Sequence, residues 1–185
     1  MIEIAGIFAV VASLIFVGLQ LHLDRKVALA DQYFNRAESA KADRRAYLDS
    51  DDYMQSMAGY WARGERPSWW DDSWDEAVLM EQGEISAREV EAQIIALELS
   101  IIGYDSVYFQ YQQGLLDETL WINFRTNIKS NMARYDLTRA VFAQHARTTI
   151  RPVIEEILQE IQEERAVQPP SEPAKAAPVR APEQP

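Results

Sequence analysis

The sequence predicts an all-α chain in three parts: an N-terminal transmembrane helix over residues 1–23, a cytosolic helical bundle over residues 24–165, and a disordered Pro/Ala-rich tail over residues 166–185. Three observations predict it. An uncharged apolar run occupies residues 4–19, with Ser13 its one polar side chain. Beyond it, apolar residues return at intervals of three and four, and no stretch sustains the alternation of a strand. Finally, six of the eight prolines crowd into residues 169–185, a composition that cannot bury enough apolar surface to order itself.

The first element is the apolar run. Extended to residues 2–23 it holds 22 residues, which at about 1.5 Å each spans roughly 33 Å, close to the thickness of a bilayer hydrocarbon core. A secretion signal is the competing reading, because Ala28, Leu29 and Ala30 form an A-x-A triplet. Yet Glu3 precedes the run and no Lys or Arg does. The flanking basic residues are Arg25 and Lys26, on the far side, which orients an uncleaved anchor with its N-terminus outside and its C-terminal domain in the cytoplasm. Ala5, Ala9 and Ser13 recur every four residues and would form a small-residue face for self-association of the anchor.

From residue 24 to 48 there is no Gly or Pro, so the anchor is expected to continue as one helical rod. Asp49, Ser50, Asp51 and Asp52 supply cap-type residues for a short helix with Tyr53, Met57, Tyr60 and Trp61, ending at Gly64. Residues 64–77 are the least regular: Pro67, three tryptophans (Trp69, Trp70, Trp74) and five acids. Such tryptophans either make a partner-binding surface or fold back over helix ends.

Ser86 followed by Glu89 is a capping box, with Ile85 and Val90 in the positions of a hydrophobic staple. The helix it opens runs to Gly114, a glycine suited to the left-handed turn after a helix. Being apolar around most of its circumference, it is expected at the centre of the bundle. Glu91, Glu98, Asp105 and Gln112 recur one heptad apart along it. They are expected to form its solvent-facing seam, the alternative being a catalytic or ligand-binding stripe. Asp117 caps the next helix, whose expected buried face is Leu120, Trp121, Phe124 and Ile128. Asp136 opens another helix, with Leu137, Val141 and Phe142 inward. Pro152 suits the first turn of the last helix, which buries Val153, Ile154, Ile157, Leu158 and Ile161.

Two stretches, residues 13–34 (SLIFVGLQLHLDRKVALADQYF) and 107–121 (VYFQYQQGLLDETLW), together resemble a widespread family of small bacterial single-pass membrane proteins of uncharacterised activity. In that family a hydrophobic N-terminal helix runs into a basic, Ala-rich helix, and an aromatic-Gln-Tyr element later leads into Gly-Leu-Leu-Asp and Leu-Trp. The resemblance implies a bacterial inner-membrane location and a helical domain, and brings no activity with it.

Function classes narrow by inventory. No cysteine is present, which removes thiolate metal sites, disulfides and thiol nucleophiles. The net charge of −11 opposes nucleic-acid binding. The two histidines, His22 and His145, have no metal-ligand spacing, so no catalytic, cofactor or metal residues are assigned. The expected function is a non-enzymatic interaction or self-association module held at the inner membrane. Its expected partners are the lipid bilayer through residues 2–23, a further copy of the chain, and a protein whose identity the sequence does not give. Candidate interaction residues are Trp69, Trp70, Trp74, Tyr108, Tyr111 and Trp121. The alternative is a membrane-tethered enzyme or small-ligand receptor with its site between the bundle aromatics and Glu98 and Asp105.

Overall fold

A computed structural model describes the backbone of residues 2–167 and, in the first helix, the side chains of Ile7 and of residues from 10 onward. Seven α-helices and no strand occur among the described residues: α1 (Ile2–Asp49), α2 (Asp51–Ala62), α3 (Asp75–Glu81), α4 (Ala87–Gln112), α5 (Glu118–Arg134), α6 (Asp136–His145) and α7 (Arg151–Val167). The all-α expectation holds. Residues 168–185, with the expected PxxP at 170–173, lie outside the described residues. The last helix continues to Val167, two residues into the segment assigned to the tail.

Local chemistry sets the boundaries. Ser50 caps α2, its Oγ accepting from the Tyr53 N–H at 3.2 Å, and Asp51 and Asp52 lie at the positive end of that helix. The break between α1 and α2 is therefore one residue wide, and Tyr47 stacks on Tyr53 across it. The capping box at α4 is complete: Ser86 Oγ accepts from the Glu89 N–H, and the Glu89 carboxylate accepts from the Ser86 N–H at 2.7 Å. Gly114 reverses the chain at φ 70°, a conformation with little cost only for glycine. α3 was not anticipated. It is one turn and three residues long, uncapped by the Trp74 side chain, and too short to carry a helical period.

The expected membrane anchor and its location require correction. Among the described residues no helix is long and apolar enough to cross a membrane. The apolar stretch of α1 over residues 10–23 includes Gln20 and His22. The single-pass, inner-membrane assignment, with its N-terminus outside and body in the cytoplasm, therefore has no spanning helix to rest on. The same stretch does stand clear of the bundle: Leu14 is 67% exposed and Phe16 61%.

α4 is the centre of the assembly, packed against α1, α2, α5 and α6. α1 and α4 run antiparallel, since Tyr33 meets Asp105 while Arg44 meets Glu98. α4 and α5 are also antiparallel, with Tyr108 against Trp121 and Tyr104 against Asn127. α5 and α7 run parallel, tied by Arg125 to Glu156 and Glu160 and by Lys129 to Glu160 and Glu164. Arg125 and then Lys129 hold the Glu160 carboxyl below the usual glutamate range. Between these layers lies a core that includes Val90, Ile128, Met132, Val141, Ile154 and Ile157.

Within α5 the expected inward face is only half right. Trp121 and Ile128 are buried, whereas Leu120 and Phe124 are exposed. α5 is covered from one side by α4 and from another by α6 and α7, so its buried stripe is narrower than its apolar stripe. Truncating Ile128 to Ala should cost about 2–5 kcal/mol in chemical denaturation. Leu120→Ala should cost about 0.5 kcal/mol or less; equal losses would put Leu120 in the core.

Candidate functional site

A seven-residue repeat on an α-helix returns to nearly the same face every two turns, drifting about 20° per repeat. Glu91, Glu98 and Asp105 accordingly share one face of α4, and Gln112 ends the row at the exposed C-terminus. The solvent-facing reading of this row is overturned. Glu91 is 5% exposed, Glu98 8% and Asp105 fully buried. The reason is the second half of α1, which lies along Glu98 and Asp105, together with α2, which covers Glu91. Ala30 and Ala37, both buried and one heptad apart, keep that face of α1 low, and Tyr33 and Arg44 reach past them to the acids.

Water that would have solvated the carboxylates is replaced by side chains. Glu91 accepts from the Tyr53 hydroxyl at 3.0 Å and the Trp61 indole N–H at 3.3 Å, both from α2. Glu98 is clamped between two helices, with Arg44 Nε of α1 at 3.1 Å and His145 Nδ1 of α6 at 3.0 Å. Asp105 accepts from the Tyr33 hydroxyl at 2.5 Å and from the Ile150 backbone N–H at 3.1 Å, just before α7. Tyr33 also reaches Thr149 Oγ1 at 2.9 Å. An unpartnered carboxylate here would cost several kcal/mol in lost hydration. Hydrogen bonds to charged groups contribute about 1.5–3 kcal/mol each, so the donors decide whether the row is tolerated.

The tyrosines record the same environment. Burial, then the charge and hydrogen bond of Glu91, push the Tyr53 hydroxyl up to about 12. Tyr33 is raised first by burial and then by its bond to Asp105. In both cases the neutral phenol is the form that donates to the carboxylate.

Glu98 and His145 have the outline of an acid-base pair. A carboxylate on Nδ1 orients an imidazole and leaves Nε2 for a proton transfer, as in hydrolytic triads. Here Nε2 is buried with no hydrogen-bond partner, and the Trp69 ring stands perpendicular to the imidazole at 5.9 Å. Among the described residues no hydroxyl is hydrogen-bonded to it. The adjoining recess, lined by Arg44, Glu98, Ile101 and Arg147, holds about 80 Å³, room for a few waters. No cluster of three or more metal-capable side chains occurs among the described residues.

The sequence-predicted interaction residues fall mostly inside the fold. Trp69, Trp70 and Trp74 are half-buried and lean on the core beside Trp61, with Trp61 and Trp70 edge to face at 4.7 Å. Trp121 is buried and packs against Tyr108 at 4.8 Å and Tyr111 at 5.5 Å. These three fasten the α4–α5 hairpin, with Tyr108 and Tyr111 half-buried. Ser13 is exposed; the side chains of Ala5 and Ala9 lie outside the described residues. His145, Tyr33 and Arg44 were not singled out from sequence, although Ala30, Ala37 and Arg44 repeat at the same seven-residue interval as the acids they face.

No protein-family model matches the chain, and neither does any curated protein or solved structure. The resemblance carried by residues 13–34 and 107–121 therefore rests on those residues alone.

Because the folded state holds Tyr53 neutral to about 12, its contribution is complete below pH 10 and is lost as the pH rises from 10 through 12. Stability measured by urea denaturation should fall steeply over that window. Tyr53→Phe should flatten the fall and remove the last-titrating tyrosine from the absorbance at 295 nm. An unchanged alkaline profile would mean that Tyr53 does not donate to Glu91.

Proposed function

We propose that this chain is a non-enzymatic self-association module, a helical bundle that presents the apolar first half of α1 to the same segment of other copies. The observation that carries the proposal is the exposed run on α1. Ile7, Val10, Val11, Leu14, Ile15, Phe16, Val17, Leu19, Leu21 and Leu23 are each at least 45% exposed. They lie on every side of the helix, which has no polar face in that run. The largest apolar patch on a typical monomer is about 300–600 Å² and is often functional; ten large side chains at this exposure exceed it. A helix apolar all round is stable only when covered all round.

Chemistry favours a further copy as the cover. Residues 4–19 carry no charge, so nothing in the arm selects a partner by ion pairing or hydrogen bonding. Recognition must be by matching apolar surface, and among the described residues the surface that matches is another arm. The strongly acidic bodies, 16 basic against 26 acidic residues or a net −10 over residues 24–165, repel one another and favour contact through the arms alone. The competing enzyme or receptor reading is not favoured, because Glu98 and Asp105 commit their oxygens to internal donors and open onto no substrate-sized space.

The test is sedimentation velocity of the full chain in buffer without detergent, beside the double variant Leu14→Lys, Phe16→Lys, with circular dichroism to monitor the fold. The two substitutions put charges on opposite sides of the arm. The wild type should sediment as a discrete oligomer and the variant as a folded monomer. A monomeric wild type, or one that leaves solution as a monomer on neutral lipid vesicles, would overturn the proposal.

A further inference from the structure

Residues of α3, α4 and α6 line a groove of about 360 Å³ to which none of the three buried acids of α4 contributes. Gln93, Leu97 and Ser100 follow one another at intervals of four and three, so one face of α4 supplies all three. α3 adds Glu76, and the start of α6 adds Tyr135 and Thr138. We propose that this groove binds a small organic cation, a primary ammonium on an apolar body of about one ring. Three side chains point to it. Thr138 is only 7% exposed, yet its hydroxyl makes no hydrogen bond with any described residue and is not sealed from solvent either. Hydroxyls that deep in a fold are ordinarily paired, and the groove is where a partner for this one would sit. Ser100 differs in the use of its proton: its Oγ donates to the Ala96 carbonyl at 3.0 Å, which leaves lone pairs alone to face the groove. Glu76 is half-buried, makes no ion pair with a described residue, and is the one formal charge in the lining.

The lining selects the class of ligand. Glu76 and Ser100 can only accept, and Thr138 and Gln93 can accept as well, so the open polar groups call for a donor. An ammonium brings three N–H donors and the charge that Glu76 lacks a partner for, and such charge-assisted bonds are the strong ones. An anion would meet the Glu76 carboxylate and the field of a strongly acidic bundle. A divalent metal would need further carboxylates, and no metal-capable cluster occurs among the described residues. Leu97 and Leu137 give the groove its apolar surface, together with the Tyr135 ring, on which the Arg134 guanidinium rests at 5.2 Å. The volume falls at the lower end of the usual range for small-molecule sites, which limits the body to about one ring and a short chain. An acid in the first turn of α3 also complements the helix end, but Asp75, its exposed neighbour, is placed to do the same. No residue of the arm lines the groove, so binding does not depend on self-association.

The probe is 2-phenylethylamine, titrated calorimetrically into the full chain at neutral pH, with 2-phenylethanol as its uncharged counterpart. The wild type should bind one amine per chain saturably, and the alcohol at least tenfold more weakly. Glu76→Gln should weaken the amine at least tenfold and Thr138→Val about fivefold, while Asp75→Asn, which removes the same charge one residue away, should leave the affinity within twofold. Ala96→Phe, at an exposed position of α4 that lines the groove, should fill it and abolish binding in a chain that melts like the wild type. The arm variant Leu14→Lys, Phe16→Lys should bind like the wild type. Absence of saturable binding to the wild type would overturn the proposal. So would equal losses in Asp75→Asn and Glu76→Gln, or unchanged affinity in Ala96→Phe.

Discussion

Glu91, Glu98 and Asp105 lie in a row on α4 with water largely excluded from all three, and the rest of the bundle is arranged by the donors they require. No single neighbour could supply them. α2 provides Tyr53 and Trp61, α1 provides Tyr33 and Arg44, α6 provides His145, and the turn into α7 provides the Ile150 N–H. Apolar packing on the opposite face of α4 would hold a bundle in several registers. A row of carboxylates, each needing donors at about 3 Å, is far less permissive, because a shift of one residue leaves buried charges unpaired. Register between α1 and α4 is thus set by hydrogen bonds, with Ala30 and Ala37 making the approach possible.

α1 joins two environments in one uninterrupted helix. From Ala30 to its end it is part of the bundle, and its inner face answers the acids of α4. Over residues 10–23 it is an apolar arm that no other described residue covers. The two halves place opposite demands on the solvent, and the continuous backbone means that whatever covers the arm acts at a fixed position relative to the bundle. Arg44 and Tyr33, which hold α1 to α4, therefore also determine where the arm points.

Much of the fold was legible because it depends on chemistry local in sequence. The capping box of Ser86 and Glu89, the Asp117 cap and the turn at Gly114 involve partners within a few residues, and each occurs where the sequence predicts it. The inward positions of α6 and α7 were likewise legible from their period. What failed was information carried by neighbours distant in sequence. A seven-residue repeat identifies a face of α4 and says nothing of what covers that face; α1 and α2 cover it from 30 or more residues away, so a buried row reads as a solvated one. Leu120 and Phe124 were misplaced for the same reason, since apolar spacing alone does not reveal that α5 is covered over a narrower arc. Trp69, Trp70 and Trp74 admitted two readings from sequence, and in the fold they are half-buried beside Trp61. The arm is a different case, in which composition suggested a spanning helix and the described residues fall short of one.

Hydrogen exchange along α1 addresses the acidic row most directly. In the wild type, amides of residues 31–48 should be protected to nearly the same degree as those of α4. In the triple variant Glu91→Gln, Glu98→Gln, Asp105→Asn, which keeps the shapes and removes the charges, residues 31–48 should lose at least a hundredfold in protection while α5 and α7 retain theirs. Protection of α1 unchanged in that variant would contradict the account, as would an equal loss throughout the bundle.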